Sequence, residues 1–118
     1  MQGYLYVLEN EGWLKVGRAV DLENKLSNYN YVSPTNKHSF TYTSELLYDV
    51  EEAEKILLNY LKDMKTLQQR KVEWFKKVGR TQESSRLKSL VRIITGKIEE
   101  ITDTYYENED KEEGGIEI

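Results

Sequence analysis

The stretch "YLYVLENEGWLKVGR", Tyr4 to Arg18, constrains the fold more than any other part of the sequence. Aromatic and β-branched residues alternate in "YLYVL", Glu9-Asn10-Glu11-Gly12 forms a polar, glycine-containing link, and "WLKVG" follows as a second short strand. That pattern predicts a β-hairpin. Period-two spacing puts Tyr4 and Tyr6 on one sheet face, where by themselves they read as a half-buried aromatic pair. A lone hairpin is only marginally stable in water, so the remaining chain has to cover it.

The covering elements are legible in part. Asp21 is placed to cap a short helix in which Leu22, Leu26 and Tyr29 recur at i, i+4 and i+7, ending near Asn28 to Asn30. "YVSPTNKH" reads as a loop around Pro34, with His38 incidental to it. "SFTYTSELL" alternates as a third strand, with Phe40, Tyr42, Ser44 and Leu46 on one side. Asp49 followed three residues later by Glu52 predicts a capping box, and Ala53, Ile56, Leu57, Tyr60, Leu61 and Met64 form the core-facing stripe of a second helix. "KTLQQRKVEWFKKVG" combines a polar loop with an apolar piece too short to assign. From Thr81 to about Tyr105, a long third helix aligns Leu87, Leu90, Val91, Ile94, Ile98, Ile101 and Tyr105 on one face. That face either closes the core or joins two chains as a homodimer through residues 87–105.

The expected architecture is α+β: a small antiparallel three-stranded sheet flanked by helices, plus a long C-terminal amphipathic helix. It divides into residues 1–80, a helix over 81–106 and an acidic, disordered tail over 107–118. A chain of 118 residues has room for one modest core. It contains no cysteine and one histidine, which excludes disulfides, zinc-thiolate sites and His-based metal clusters and points to carboxylates, Tyr, Lys and Arg as the main groups for chemistry. No apolar run approaches the roughly 18 residues that span a bilayer, and no signal-peptide pattern opens the chain, so an intracellular protein is expected. The formal net charge is −4. The last twelve residues hold six carboxylates against one lysine, a net of −5, so residues 1–106 carry +1 and their charges can be segregated by face.

In this order, five pieces resemble the GIY-YIG nuclease superfamily, in the phage and viral branch whose second motif reads Lys-Ile-Gly-Arg. "YLYVL" stands at the Gly-Ile-Tyr strand, "LKVGR" at the Tyr-Ile-Gly strand, "AVDLENKL" at the helix that presents an arginine, "VEEAEKILLNYL" at the helix that presents a glutamate, and "VEWF" at the closing Glu-Trp-Phe motif. The match covers roughly Gly3 to Val78. The resemblance implies phosphodiester hydrolysis with Mg²⁺ or Mn²⁺. It assigns catalytic positions to Tyr6, Lys15, Arg18, Lys25 and Glu54, with Glu54 as the metal-holding carboxylate. Tyr6 stands as a general base or its positioner, and because a free tyrosine has a pKa near ~10, a neighbouring cation such as Lys15 is expected to lower it. Arg18 is placed to clamp a phosphate.

Lys25 stands where the family carries an arginine, keeping the charge but not the planar fork, and Leu58 stands where this branch often carries a histidine. These departures motivate the alternative: a catalytically degenerate fold that binds nucleic acid or a host protein, an inhibitory viral module being one form of it. Nucleic acid, DNA foremost, is the expected partner. Trp74 and Phe75 read as packing residues, and the flanking Arg70, Lys71, Lys76 and Lys77 are the cations expected to track a nucleic-acid backbone.

Overall fold

The computed structural model of the protein describes residues 1–32, 38–70, 73–79 and 82–106. The predicted hairpin is present as β1 (Tyr4–Asn10) and β2 (Trp13–Ala19), paired antiparallel from Tyr4↔Ala19 to Asn10↔Trp13. Its two-residue turn has Glu11 at φ 53° and Gly12 at φ 81°. Positive φ at both central residues is the form whose twist matches that of the flanking strands, and glycine adopts it without a Cβ penalty.

Helix α1 (Leu22–Val32) starts where expected: Asp21 Oδ1 accepts the Asn24 N–H at 3.1 Å, although the helix runs two residues past Asn30. Strand β3 (Ser39–Thr43) follows, then α2 (Val50–Lys62), whose Asp49 cap accepts the Glu52 N–H at 3.3 Å. Next come β4 (Leu67–Arg70), β5 (Trp74–Lys77) and α3 (Glu83–Tyr105).

The α+β class holds, with a single antiparallel sheet in the order β3-β1-β2-β5-β4. The sheet has five strands rather than the three expected. "LQQR" carries one large apolar residue, too few for a period-two pattern, and "WFKK" is only four residues long. What recruits them is tertiary: Phe75 is fully buried opposite Leu14, and β4 then pairs onto β5 from Leu67↔Lys77 to Arg70↔Trp74.

One sheet face, carrying Leu5, Val7, Leu14, Val16 and Phe75, packs on Ala53, Leu57 and Leu61 of α2 and on Leu90, Ile94, Ile98 and Ile101 of α3. Each such aliphatic side chain contributes roughly 1.5–3 kcal/mol on burial. Of the two roles open to the α3 stripe, the structure has it closing the core, against α2, β5 and β1. Tyr60, expected in the α2 stripe, is instead 40 % exposed, with Lys97 Nζ 4.7 Å from its ring centroid. It lies off the line Ala53, Leu57, Leu61 that faces the sheet.

The other face carries Tyr6, Leu8 and Ala19, covered by Leu22, Leu26 and Tyr29 of α1 together with Phe40 and Trp74. Phe40 and Tyr42 therefore serve opposite faces, not the same one, because the register shifts between Val7 and Leu8: Leu8 pairs with Phe40 and Val7 with Tyr42, leaving Thr41 as the bulged residue. Beyond β3, Leu47 and Gly3 exchange N–H···O bonds of 2.8 and 3.0 Å, and Tyr48 N–H donates to the Tyr105 carbonyl at 2.9 Å, tying the end of α3 to the sheet edge. Among the described residues no helix is long and apolar enough to cross a membrane.

Candidate active site

The sheet splits next to β2. Strand β5 pairs with it only at Leu14 and Lys15, and the last tie is Val16 N–H to the Glu73 carbonyl at 3.1 Å. Gly17 and Arg18 continue beyond that tie, so the end of β2 borders a concavity instead of another strand. Into this opening the fold brings side chains from five segments. Tyr6, Lys15, Gly17, Arg18, Lys25, Glu54 and Glu73 line one cavity of about 210 Å³. All five positions that the resemblance assigned to catalysis are among them.

Period-two geometry explains the placement. Tyr6 is paired directly with Gly17, and on the same face Lys15 is paired with Leu8. A side chain at Gly17 would collide with the Tyr6 hydroxyl, so the glycine is what allows the phenol to lie across β2. Arg18, one residue on, faces the α2 side. There its Nη1 donates to Glu54 Oε1 at 2.7 Å. Glu54 sits one position beyond buried Ala53 on α2 and is itself only 9 % exposed.

Two groups that sequence reasoning did not place in the site complete it. Tyr29, read as a core position of α1, puts its hydroxyl 3.2 Å from that of Tyr6 and accepts a hydrogen bond from Lys15 Nζ. Glu73, the acid of the Glu-Trp-Phe motif, pairs with Lys15 at 3.3 Å. The motif itself was the signal for Glu73. For Tyr29 only its spacing from Lys25, one helical turn away, pointed toward the site. His38, read as incidental, stacks at this border, its ring centroid 5.3 Å from that of Tyr29 and 6.3 Å from that of Trp74. Burial and the nearby Lys15 hold its pKa below the usual histidine value.

The electrostatics differ from expectation at Tyr6. Burial raises its pKa well above that of free tyrosine, and the carboxylates of Glu73 and Glu54 push it further up. The expected lowering by Lys15 is not found, because the Lys15 ammonium lies against Glu73 and Tyr29. The Glu54 pKa is also raised: burial outweighs the Arg18 charge, and Glu73 adds to the rise. The cavity thus holds three cations against two carboxylates. Lys15 and Arg18 are each paired. Lys25, which lines the cavity from α1, has no ion pair among the described residues and carries the surplus charge.

Of the residues expected to track a nucleic-acid backbone, Lys76 and Lys77 are not drawn into this cavity. Lys76 and Lys77 alternate across β5: Lys76 pairs with Glu83 at 3.5 Å and lies near the Trp13 ring, while Lys77 Nζ donates to Ser89 Oγ at 2.8 Å on the α3 side. Arg70 ends β4, opposite Trp74 in backbone register. Lys71 and the acidic tail lie outside the described residues.

Among the described residues no cluster of three or more His, Cys, Asp or Glu side chains is arranged to hold a metal. A divalent ion in this cavity would therefore rest on Glu54 as its principal carboxylate. The donor set fits Mg²⁺ or Mn²⁺ on those terms: Arg18 engages one oxygen of a buried, charge-destabilised carboxylate, and such ions commonly take one or two carboxylates with water and substrate phosphate as the remaining ligands.

Compared with known families, residues 3–95 match the model of the T5orf172 domain. Comparisons with curated proteins and with solved structures gave no match.

Proposed function

The chain belongs to the T5orf172 domain family, and from that premise we propose that its cavity is a GIY-YIG-type site that hydrolyses nucleic-acid phosphodiester bonds with a divalent metal. The family is associated with nuclease-like proteins of phages and bacteria, which makes a nuclease-like or nucleic-acid-binding domain the general class. The observation that carries the finer reading is the meeting of Tyr6, Lys15, Arg18, Lys25 and Glu54 in one cavity with a net positive charge.

Each residue then has a physical task. Lys25 offers an unpaired ammonium to a phosphate oxygen, and Arg18, once its hold on Glu54 is exchanged for substrate, offers a planar fork to another. The bound ion supplies positive charge to the phosphate and the leaving oxygen. Tyr6 keeps its proton at neutral pH, so its hydroxyl holds the attacking water or a phosphate oxygen as a donor. For it to act as a base, positive charge has to offset Glu73 and Glu54, the carboxylates that oppose a phenolate. Tyr29 fixes the Tyr6 oxygen from the side, and Glu73 fixes the ammonium of Lys15 that in turn fixes Tyr29.

The test is cleavage of labelled DNA and RNA by the purified chain in Mg²⁺ or Mn²⁺. Metal-dependent products that disappear with chelator and with Glu54→Ala are expected; no cleavage of any substrate, or no effect of Glu54→Ala, removes the reading. The second reading, a binding module without turnover, draws on the same ion pairs: Arg18 with Glu54 and Lys15 with Glu73 leave one unpaired cation in the cavity. Chelator-insensitive binding of nucleic acid or of a host protein, without products, would select it.

A further inference from the structure

Arg18 lines two more grooves besides the cavity, and they differ in charge. One, of about 330 Å³, runs between α1 and the end of β2 and shares both Arg18 and Lys25 with the cavity. Its α1 wall carries Asn24 and Asn28, exposed and one helical turn apart. Its acid, Asp21, has a carboxylate oxygen turned to the helix, accepting the Asn24 backbone N–H. Val20 and Val50 add an apolar lining. The other groove, of about 520 Å³, follows α2 and brings Asp49, Glu51, Glu52 and Glu54 together against Arg18, Lys55 and Lys62.

We infer that a nucleic-acid strand engaged at the cavity continues along the α1 groove, with Asn24 and Asn28 as its contacts beyond Lys25. A polyanion leaving the cavity meets a net positive wall on the α1 side and a net negative one on the α2 side. That difference in charge favours the α1 side. Carboxamides suit the position because each offers N–H donors to phosphate or sugar oxygens and an acceptor to base edges. Among the described residues neither carboxamide is engaged in a hydrogen bond within the protein. Along the α1 groove, Arg18 of β2 and Lys25, Asn24 and Asn28 of α1 thus form a polar track whose first two members belong to the site and whose last two extend it.

The inference rests on the nucleic-acid reading above, and its test separates the two. Fluorescence anisotropy of the full chain with fluorescein-labelled single-stranded and duplex DNA and single-stranded RNA, in chelator to prevent turnover, gives the affinity of the wild type. Asn24→Ala/Asn28→Ala, which leaves net charge unchanged, is expected to weaken binding about 10-fold with an unaltered melting temperature, the scale of two lost polar contacts. Asn59→Ala, in the α2 groove and likewise without a change in net charge, is expected to stay within about twofold, because the strand does not pass it. Wild-type binding that the asparagine pair leaves unchanged, or that Asn59→Ala weakens as much, overturns the α1 path alone. No binding of any probe by the wild type overturns the nucleic-acid reading and the path with it.

Discussion

The Tyr6 hydroxyl lies where a side chain on Gly17 would have to begin. This contact gives the glycine of Lys-Val-Gly-Arg a task in the site as well as in the strand. Gly17→Ala is expected to displace the phenol and lower cleavage about 100-fold or more, at an overpacking cost of about 1–3 kcal/mol. Single-turnover cleavage and thermal melting check the two parts. Tyr6→Phe should lose comparable activity while leaving the melting temperature within a few degrees, which separates loss of the hydroxyl from loss of packing.

Tyr29 connects the ammonium of Lys15 to the hydroxyl of Tyr6. Tyr29→Phe retains the ring that packs from α1 onto the sheet and lies against His38, so stability should change by no more than about 1 kcal/mol. Cleavage should fall about 10- to 100-fold, with the loss in turnover rather than in substrate affinity, because the hydroxyl touches Tyr6 and not the groove. Steady-state kinetics distinguish that outcome from weakened binding.

Burial raises the Glu54 pKa in spite of the Arg18 guanidinium beside it. Its folded pKa lies above the unfolded value, so the charged form is a cost to the fold at neutral pH, and the cost is relieved as pH falls through the folded pKa. Glu54→Gln is therefore expected to abolish metal-dependent cleavage and yet be as stable as the wild type or more so at pH 7.5. The gap should close toward acid pH, where the wild-type carboxyl is also neutral. Urea denaturation of both proteins at several pH values measures the difference directly.

The apolar stripe of α3 lies inside the core of its own chain. Ile94→Ala is expected to cost about 2–5 kcal/mol, and the loss should not depend on protein concentration. A concentration-dependent melting temperature in the wild type, abolished by Ile94→Ala, would instead indicate that the stripe serves a second chain.

Local chemistry wrote much of this fold into the sequence. The period-two pattern of "YLYVL" and "WLKVG", the caps at Asp21 and Asp49 and the 3.6-residue stripes of α2 and α3 each act within a short window, and each appears where the pattern put it. Strands β4 and β5 were not legible because their stabilisation is long-range, through Phe75 against Leu14 and the core behind it. The face of Tyr42 was misassigned because a bulge at Thr41 has no local signature in a run of alternating aromatic and threonine residues. In the site, the motif residues could be named one by one. The upward shift at Tyr6 could not, since it depends on burial and on two carboxylates supplied by α2 and by the approach to β5.

β5 begins at Trp74, just after Glu73, which leaves the end of β2 open, and the same boundary bears on when the site can be complete. A nascent chain still short of Glu73 lacks the residue that holds Lys15, and the core behind the sheet stays unsealed until α3 has emerged and docked. Tyr6, Arg18 and Glu54 all precede both in the chain, so residues made after them complete their surroundings.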